Sequence, residues 1–282
     1  MTPTATPPPR GTVPIGAGEP TGHGAARTRH RVRRSCLLLA FLLGVGMVAG
    51  APPADAAPGA VDRNPACLTG GTLGMVDDGS AQLPIGETVR FGAGTYSAVY
   101  VNNNGNLTFR APTPEYLSTV FPGSLGPMIA PYWADVDTRW PVGGKPSVVT
   151  WGSTTFGGRP AVCVNWTGAA FQGVGYYNEQ RRVDKLNSFQ VLLVNREDVA
   201  AGAFDIVFNY DKVQWVYGDP SYGSYAQVGI DFGDSVHFYN GLGTRTSALL
   251  DGGTGPLIRQ RMGSSTVDGR GVFAIRNGIL GN

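Results

Sequence analysis

The spacing of turn-forming residues constrains the fold of this chain more than any other feature. Beyond residue 80, clusters of Gly, Pro, Asn and Asp recur roughly every eight to twelve residues, with short apolar runs between them. Several runs alternate apolar and polar residues, a period that predicts strands with one buried face. The sequence shows no long amphipathic helical pattern. We therefore expect an all-β fold, an antiparallel β-sandwich-like single domain with a few short helical turns.

The apolar runs define the candidate strands. Residues 204–210 place Phe204, Ile206, Phe208 and Tyr210 on one face. The more uniformly apolar run at 188–194 predicts a central strand covered on both faces. An Asn-rich stretch ending in Gly105-Asn106 predicts a hairpin turn, because Asn and Gly tolerate positive φ. Further candidate strands are 88–91, 98–101, 106–109, 148–151, 162–166, 213–216, 227–232, 235–239 and 271–276, and short helical turns are expected near 115–120 and 246–251.

The first 56 residues have the features of an export signal. Five arginines between residues 27 and 34 precede a 14-residue apolar run at 36–49, and Ala54-Asp55-Ala56 follows as a small-x-small cleavage site. The run is shorter than the roughly 20 residues that a membrane-spanning helix needs. We predict a secreted, extracellular protein with no membrane anchor after cleavage. The expected organisation is an N-terminal extension plus signal peptide at 1–56, a leading linker at 57–79, the domain at 80–277 and a tail at 278–282.

The charge balance argues against a nucleic-acid partner. Six of the 22 basic and two of the 20 acidic residues precede Ala57, which leaves 16 basic against 18 acidic residues and a net charge of −2. Only three lysines occur in the chain, and a nucleic-acid footprint needs clustered Lys and Arg.

Two cysteines follow residue 57, Cys67 and Cys163. In an exported protein such a pair predicts a disulfide, with free thiols as the alternative. In the chain-entropy account, a disulfide that closes a loop of this length stabilises the folded state by up to about 4–5 kcal/mol.

The stretch IAPYWADVDTRW, residues 129–140, is the strongest candidate for chemistry. In an extended chain Asp135 and Asp137 share one face at a separation of about 6–7 Å. Three interpretations stay open: a catalytic acid pair, oxygen ligands for Ca²⁺, or a structural ion pair. Arg139, on the same alternating face, is expected to lower the pKa of both carboxyls and to hold both ionised. Ionised neighbours favour ion pairing or a hard cation over acid catalysis.

Histidine usage also argues against an enzyme. His237 is the one histidine after residue 57, and we interpret it as a structural or partly exposed strand residue. Nucleophile–base pairs and zinc sites usually need more His or Cys side chains. The chain carries neither a Gly-x-Ser-x-Gly nor a His-Glu-x-x-His motif. We predict a non-enzymatic protein whose single candidate cofactor is Ca²⁺; a secreted hydrolase using Asp135 and Asp137 is the least favoured alternative.

Two sequence blocks carry a resemblance to a known family. The blocks YVNNNGNLTF (100–109) and IAPYWADVDTR (129–139) resemble the nidogen-like extracellular domain. Later blocks agree with that family in order, so the resemblance covers roughly residues 80–277. They lie at 164–167, 174–177, 184–193, 204–210 with 213–215, 226–230 and 269–273.

The resemblance implies an extracellular module associated with cell–matrix adhesion, without catalytic activity. We expect a protein or glycan partner, and the oligomeric state stays undetermined. Tyr and Trp are common interface anchors, although ordinary loop residues have the same composition. The candidate partner-binding residues are Trp133, Tyr176, Tyr177, Tyr217 and Tyr222. In a lectin-like alternative, Asp135, Asp137, Trp133 and Trp140 hold a sugar or Ca²⁺.

Overall fold

The computed structural model describes residues 65–141, 145, 147–173, 184–218 and 223–281. The described residues form one compact unit. The predicted signal and its cleavage site lie outside the described residues. No helix in the described part of the chain is long and apolar enough to cross a membrane.

Short strands dominate the described residues, with one brief helix at the start. The elements are α1 Pro65–Thr69, β1 Gly71–Thr72, β2 Ser80–Phe91, β3 Gly94–Asn102, β4 Asn106–Thr108, β5 Met128–Trp133, β6 Val136–Asp137, β7 Val149–Phe156, β8 Arg159–Phe171, β9 Asn187–Asn195, β10 Phe204–Lys212, β11 Gln227–Asp231, β12 Phe238–Asn240, β13 Arg261–Gly263, β14 Arg270–Arg276 and β15 Ile279–Leu280. Two 3₁₀ helices span Ser247–Leu249 and Leu257–Arg259.

The strands form two sheets that face each other. Among the described residues, one sheet has nine strands in the order β1-β7-β8-β9-β10-β14-β13, with β6 added to β8 and β15 added to β14. The other has six strands in the order β12-β11-β5-β4-β3-β2. Among the described strands, every pairing is antiparallel except that of β13 with β14. The predicted all-β, sandwich-like architecture is confirmed.

The main core lies between the two sheets and is rich in aromatic residues. Trp166 on β8 stacks on Phe189 on β9 with ring centroids 5.1 Å apart, and Phe91 on β2 stacks on Phe109 at 4.3 Å. The alternate residues of β10 point into this core, as the pattern at 204–210 predicts. Each aromatic ring buries about 150–250 Å², so these pairs are the largest units of core burial.

The central strands of the nine-stranded sheet are buried on both faces. On β9, Val191 and Leu193 belong to the core between the sheets, whereas Leu192 and Val194 pack in a second cluster with Val207. The prediction of a central strand at 188–194 is therefore confirmed.

Residues 65–79, the described part of the segment before residue 80, belong to the fold and are not a linker. Cys67 in α1 forms a disulfide with Cys163 on β8, with the Cα atoms 5.7 Å apart. β1 pairs with β7 through Gly71 and Thr72. The disulfide prediction is confirmed, and the expected linker at 57–79 is wrong from residue 65 onward because a disulfide and a strand pairing fix it. Similarly, the expected tail at 278–282 contributes β15 to the sheet edge.

Two further local predictions are wrong. Residues 213–216 form no strand, because the N–H groups of Gln214 and Trp215 donate to the Asn187 side chain instead of to a neighbouring strand. Residues 115–120 form no helical turn, because Ser118 donates to the carbonyl of Tyr225, far away in sequence. The expected helical turn at 246–251 is confirmed by the 3₁₀ helix Ser247–Leu249.

Candidate functional site

The segment containing Asp135 and Asp137 crosses from one sheet to the other. β5 pairs with β11 in the six-stranded sheet, whereas β6 pairs with β8 in the nine-stranded sheet. Between them the N–H of Val136 donates to the carbonyl of Ala134 at 2.9 Å, a three-residue turn. This turn interrupts the period-two alternation, so the two aspartates are not same-face neighbours of one strand.

The Asn-rich hairpin between β3 and β4 holds this crossing in place. Asn103 Nδ2 donates to the carbonyl of Val136 at 2.6 Å, and Asn104 Oδ1 accepts from the N–H of Val136 at 3.0 Å. Trp166 Nε1 donates to the carbonyl of Asn103 at 2.9 Å. Side chains and backbone of one turn therefore satisfy polar groups at the point where the chain leaves β5.

Asp137 is fully buried and accepts hydrogen bonds from at least four N–H donors among the described residues. Its Oδ1 accepts from the N–H and from Nε of Arg139 at 3.0 and 2.9 Å. Its Oδ2 accepts from NH2 of Arg139 at 2.8 Å and from Nε1 of Trp140 at 2.9 Å. The Arg139 guanidinium also pairs with Asp77 at 2.9 Å. Charge-assisted, bidentate hydrogen bonds are stronger than bonds between neutral groups. These bonds therefore fix the backbone of residues 137–140 at the point where the crossing segment ends.

Asp135 is in a different state from Asp137. Its side chain is buried, and Oδ2 has no hydrogen-bond partner among the described residues. Burial, followed by repulsion from Asp77 and Asp78, raises the pKa of Asp135 to about 8. The expectation that Arg139 holds both carboxylates ionised is therefore wrong for Asp135, because Arg139 lowers its pKa less than burial and the neighbouring carboxylates raise it.

The geometry of the pair does not favour a Ca²⁺ site. Ca²⁺ takes six to eight oxygen ligands, and the oxygens of Asp137 already accept from nitrogen donors. Among the described residues no three or more His, Cys, Asp or Glu side chains are arranged to hold a metal ion. Ca²⁺ binding by Asp135 and Asp137 stays a prediction of the sequence analysis.

The two tryptophans of the segment do not form a sugar-binding face. Trp133 is only 1% exposed and packs with Phe121, Met128 and Ala130, while its Nε1 donates to the carbonyl of Glu115. It is a core residue, so the expectation of a partner-facing Trp133 is wrong. Trp140 is half-buried and directs its Nε1 at Asp137.

An open groove lies where residues 213–217 and Tyr225 meet two other loops. Two adjoining hollows, of about 500 and 290 Å³, share Lys185, Gln214, Ser247 and Leu250 in their walls. Residues of the first hollow also include Asp184 and Asp251, and the second includes Trp215, Tyr217 and Tyr225. We call this surface the tyrosine groove.

Hydrogen bonds fix the floor of the tyrosine groove. Asn187 on β9 accepts from the N–H groups of Gln214 and Trp215 at 2.7 and 3.2 Å and donates to the carbonyl of Trp215 at 3.0 Å. Trp215 Nε1 donates to the carbonyl of Ala169 at 2.9 Å. Asp251 and Val213 exchange two bonds of 2.9 Å, which join the loop after the first 3₁₀ helix to the floor. The groove is therefore preorganised.

The structure places only one candidate tyrosine in this groove. Tyr217 is half-buried and packs edge-on against Tyr225, with ring centroids 5.1 Å apart. Tyr176, Tyr177 and Tyr222 lie outside the described residues. The remaining lining residues, including Lys185, Gln214, Ser247 and Asp251, were not predicted from the sequence. Only the tyrosine-rich composition of residues 216–225 signalled this surface.

His237 lies on the surface beside an acidic neighbour. Its Nδ1 is 2.6 Å from Oδ2 of Asp234, and nearly half of its side chain is exposed. Bonds from His237 and from two backbone N–H groups lower the pKa of Asp234 to about 2. A catalytic constellation at His237 would need a nucleophile, and no hydroxyl or thiol of the described residues is hydrogen-bonded to the His237 ring.

Comparison with known proteins identifies relatives over most of the described domain. Residues 97–277 match the family model described as nidogen-like domain. The chain is 27% identical over 205 residues to alpha-tectorin of Mus musculus, and 26% identical over 174 residues to nidogen of Drosophila melanogaster. These alignments cover 62% and 53% of this chain but only 9% and 12% of those relatives. No solved structure matches.

The aligned region includes the sheet-crossing segment, the Asn-rich hairpin turn and the described residues of the tyrosine groove, which all lie between residues 97 and 277. The chain belongs to the nidogen-like domain family.

Proposed function

We propose that this chain works outside the cell as a non-enzymatic binding module of the extracellular-matrix type. Its role would be adhesion, through an extracellular protein or glycan. Family membership supports this proposal, because the nidogen-like domain is associated with cell–matrix adhesion. The observation that carries it is the preorganised tyrosine groove, which offers two half-buried aromatic rings beside exposed polar side chains. Aromatic residues on fixed backbone are favourable binding anchors because ordering them costs little entropy.

The state of the two aspartates supports binding rather than hydrolysis. A glycosidase needs one carboxylate as base or nucleophile and one protonated acid, both facing a substrate. Asp137 is fully buried and held by Arg139 and Trp140, so it cannot reach a substrate without breaking four bonds. Asp135 is protonated near neutral pH but is also buried.

A capture experiment tests the proposal. The purified secreted chain is immobilised and exposed to the extracellular fraction of the producing cells, and retained material is quantified after washing. We expect saturable retention that a Tyr217→Ala variant reduces. A variant with Tyr100→Ala is the matched control, because Tyr100 is also half-buried but lies on β3, away from the groove lining. Ester or glycoside hydrolysis that is lost in Asp135→Asn would contradict the proposal and support the hydrolase alternative.

A further inference from the structure

We infer that the tyrosine groove is a glycan-binding site, selective for neutral saccharides. This inference rests on the proposed function and names the chemistry of its ligand. The groove joins a hollow of about 500 Å³, which carries most of the polar rim, to a hollow of about 290 Å³, which carries the aromatic wall. These volumes are on the scale of the roughly 300–1,000 Å³ of small-ligand sites. A pyranose ring has an apolar C–H face and a rim of hydroxyl groups, and the groove presents partners for both.

The aromatic wall fits the apolar face of a sugar ring. Tyr217 and Tyr225 meet at 75°, so their ring planes form a corner rather than a flat stack. Trp215 also lines the smaller hollow, and its ring is fixed by the bond from Nε1 to the carbonyl of Ala169 and by edge-on packing with Tyr132 at 5.9 Å. A ring seated in this corner would gain contact without ordering flexible side chains, and that raises affinity.

The polar rim supplies directed hydrogen-bonding groups. Gln214 Oε1 accepts from the N–H of Leu186 at 2.9 Å, which orients the amide and leaves Nε2 as a donor toward the groove. Within the described residues, neither Nε2 of Gln214, Nζ of Lys185 nor Oγ of Ser247 has a hydrogen-bond partner. An array of fixed donors with unused capacity suits the hydroxyl oxygens of a saccharide.

The charges of the rim indicate a neutral ligand. Asp184 and Lys185 are exposed neighbours in the lining, and the carboxyl of Asp251 lies in the same wall. An anionic ligand would approach two acidic side chains, and a cationic ligand would approach Lys185, so either meets a like charge. A polyhydroxyl ligand can instead donate to Asp184 and accept from Lys185. The mixed signs thus select against uronic or sialic acids and for uncharged sugars.

Calorimetric titration with defined tetrasaccharides tests the inference. The probes are cellotetraose, maltotetraose, chitotetraose and, as the acidic counterpart, tetragalacturonic acid. We expect at least one neutral oligomer to bind and tetragalacturonic acid to bind at least tenfold more weakly. Tyr217→Ala should weaken binding at least tenfold, Lys185→Ala at least threefold, and Tyr100→Ala less than twofold. Lys185 is exposed, so its variant reports on the site even where Tyr217→Ala fails to fold.

The outcomes separate this inference from the proposed function. If none of the tetrasaccharides binds while the chain still captures extracellular material in a Tyr217-dependent way, the glycan inference is overturned and the proposed function stands. Binding of the acidic oligomer alone would overturn the selectivity for neutral sugars. Neutral-sugar binding that is unchanged in both Tyr217→Ala and Lys185→Ala would overturn the assignment of the site. Absence of both glycan binding and capture would overturn inference and proposed function together.

Discussion

At the scale of single residues, the two aspartates of one short motif have opposite roles. Asp137 is an ionised anchor with four N–H donors, whereas Asp135 is a buried carboxyl whose pKa is raised to about 8. The motif predicts an ion pair with Arg139, which Asp137 makes, but it also predicts an ionised Asp135, which is wrong. The difference arises from the tight turn at Ala134–Val136, which no pattern of apolar and polar residues reveals.

Asp137→Asn should destabilise the fold. The substitution keeps the size of the side chain but removes the charge that binds Arg139 and places an amide NH₂ against N–H donors. We expect a loss of about 1.5–3 kcal/mol in the free energy of unfolding, measured by urea denaturation. Asp198→Asn is the matched control, because Asp198 pairs with Arg159 and Arg196 on the surface and should matter far less. Equal losses in both variants would contradict the anchoring role.

Asp135→Asn should change how stability depends on pH. The folded-state pKa of Asp135 is about 8 against an ordinary value of 3.8, so between these values the folded chain keeps a proton that the unfolded chain releases. The free energy of unfolding therefore falls as pH rises from about 4 to about 8, with a slope of at most about 1.4 kcal/mol per unit from this group. The variant should lose this slope and gain stability relative to the native chain at pH 8. Parallel profiles from pH 4 to 8 would refute the assignment.

Ca²⁺ should leave the folding of this segment unchanged. Arg139 and Trp140 already supply the partners of Asp137, so no cation is needed to neutralise it. We expect the melting temperature, measured by differential scanning calorimetry, to agree within about one degree between a buffer with excess Ca²⁺ and a buffer with excess chelator. Ca²⁺ binding that stabilised the fold by about 1 kcal/mol would instead raise the melting temperature by several degrees. A clear shift that disappears in Asp137→Asn would restore the cation interpretation.

At the scale of elements, the hairpin between β3 and β4 organises the sheet crossing. The Asn-Gly signal predicted this hairpin, and Gly105 has a φ of 79°. The sequence did not show that the turn contacts a second element. The carbonyl of Gly105 accepts from the N–H of Tyr132, and the Asn103 and Asn104 side chains bind the backbone around Val136. Such contacts depend on tertiary packing, so no local pattern encodes them.

Gly105→Ala should cost more than an ordinary glycine substitution. A Cβ at this position would lie 1.9 Å from the carbonyl oxygen of Tyr132, a backbone atom that cannot move aside. Gly158→Ala is the matched control, since Gly158 has a φ of 76° in the hairpin between β7 and β8 but no heavy atom within 4 Å of the new Cβ. Both variants carry the left-handed penalty of about 1–2 kcal/mol. We expect Gly105→Ala to lower the free energy of unfolding further, and equal losses in urea denaturation would show that Tyr132 does not constrain the turn.

At the scale of the whole molecule, fold class was more predictable than the site. In runs such as 204–210, apolar residues alternate with polar ones because alternate residues are buried. This pattern indicates a strand even when the order of the strands in the sheet is unknown. The described lining of the tyrosine groove comes from residues 184–185, 213–217, 225, 247 and 250–253, which come together only through the topology of the sandwich. Residues 213–216 were even assigned to a strand, because the bonds that Asn187 makes to them are invisible in an apolar pattern.

The central claim is that this domain binds through the tyrosine groove and uses its aspartate motif only to build the sandwich. The most direct test compares equilibrium binding of the native chain, Tyr217→Ala and Asp135→Asn to the immobilised extracellular fraction at pH 7. The account predicts at least tenfold weaker binding for Tyr217→Ala and unchanged binding for Asp135→Asn, with both variants folded by circular dichroism. Loss of binding in Asp135→Asn with full retention in Tyr217→Ala would contradict it.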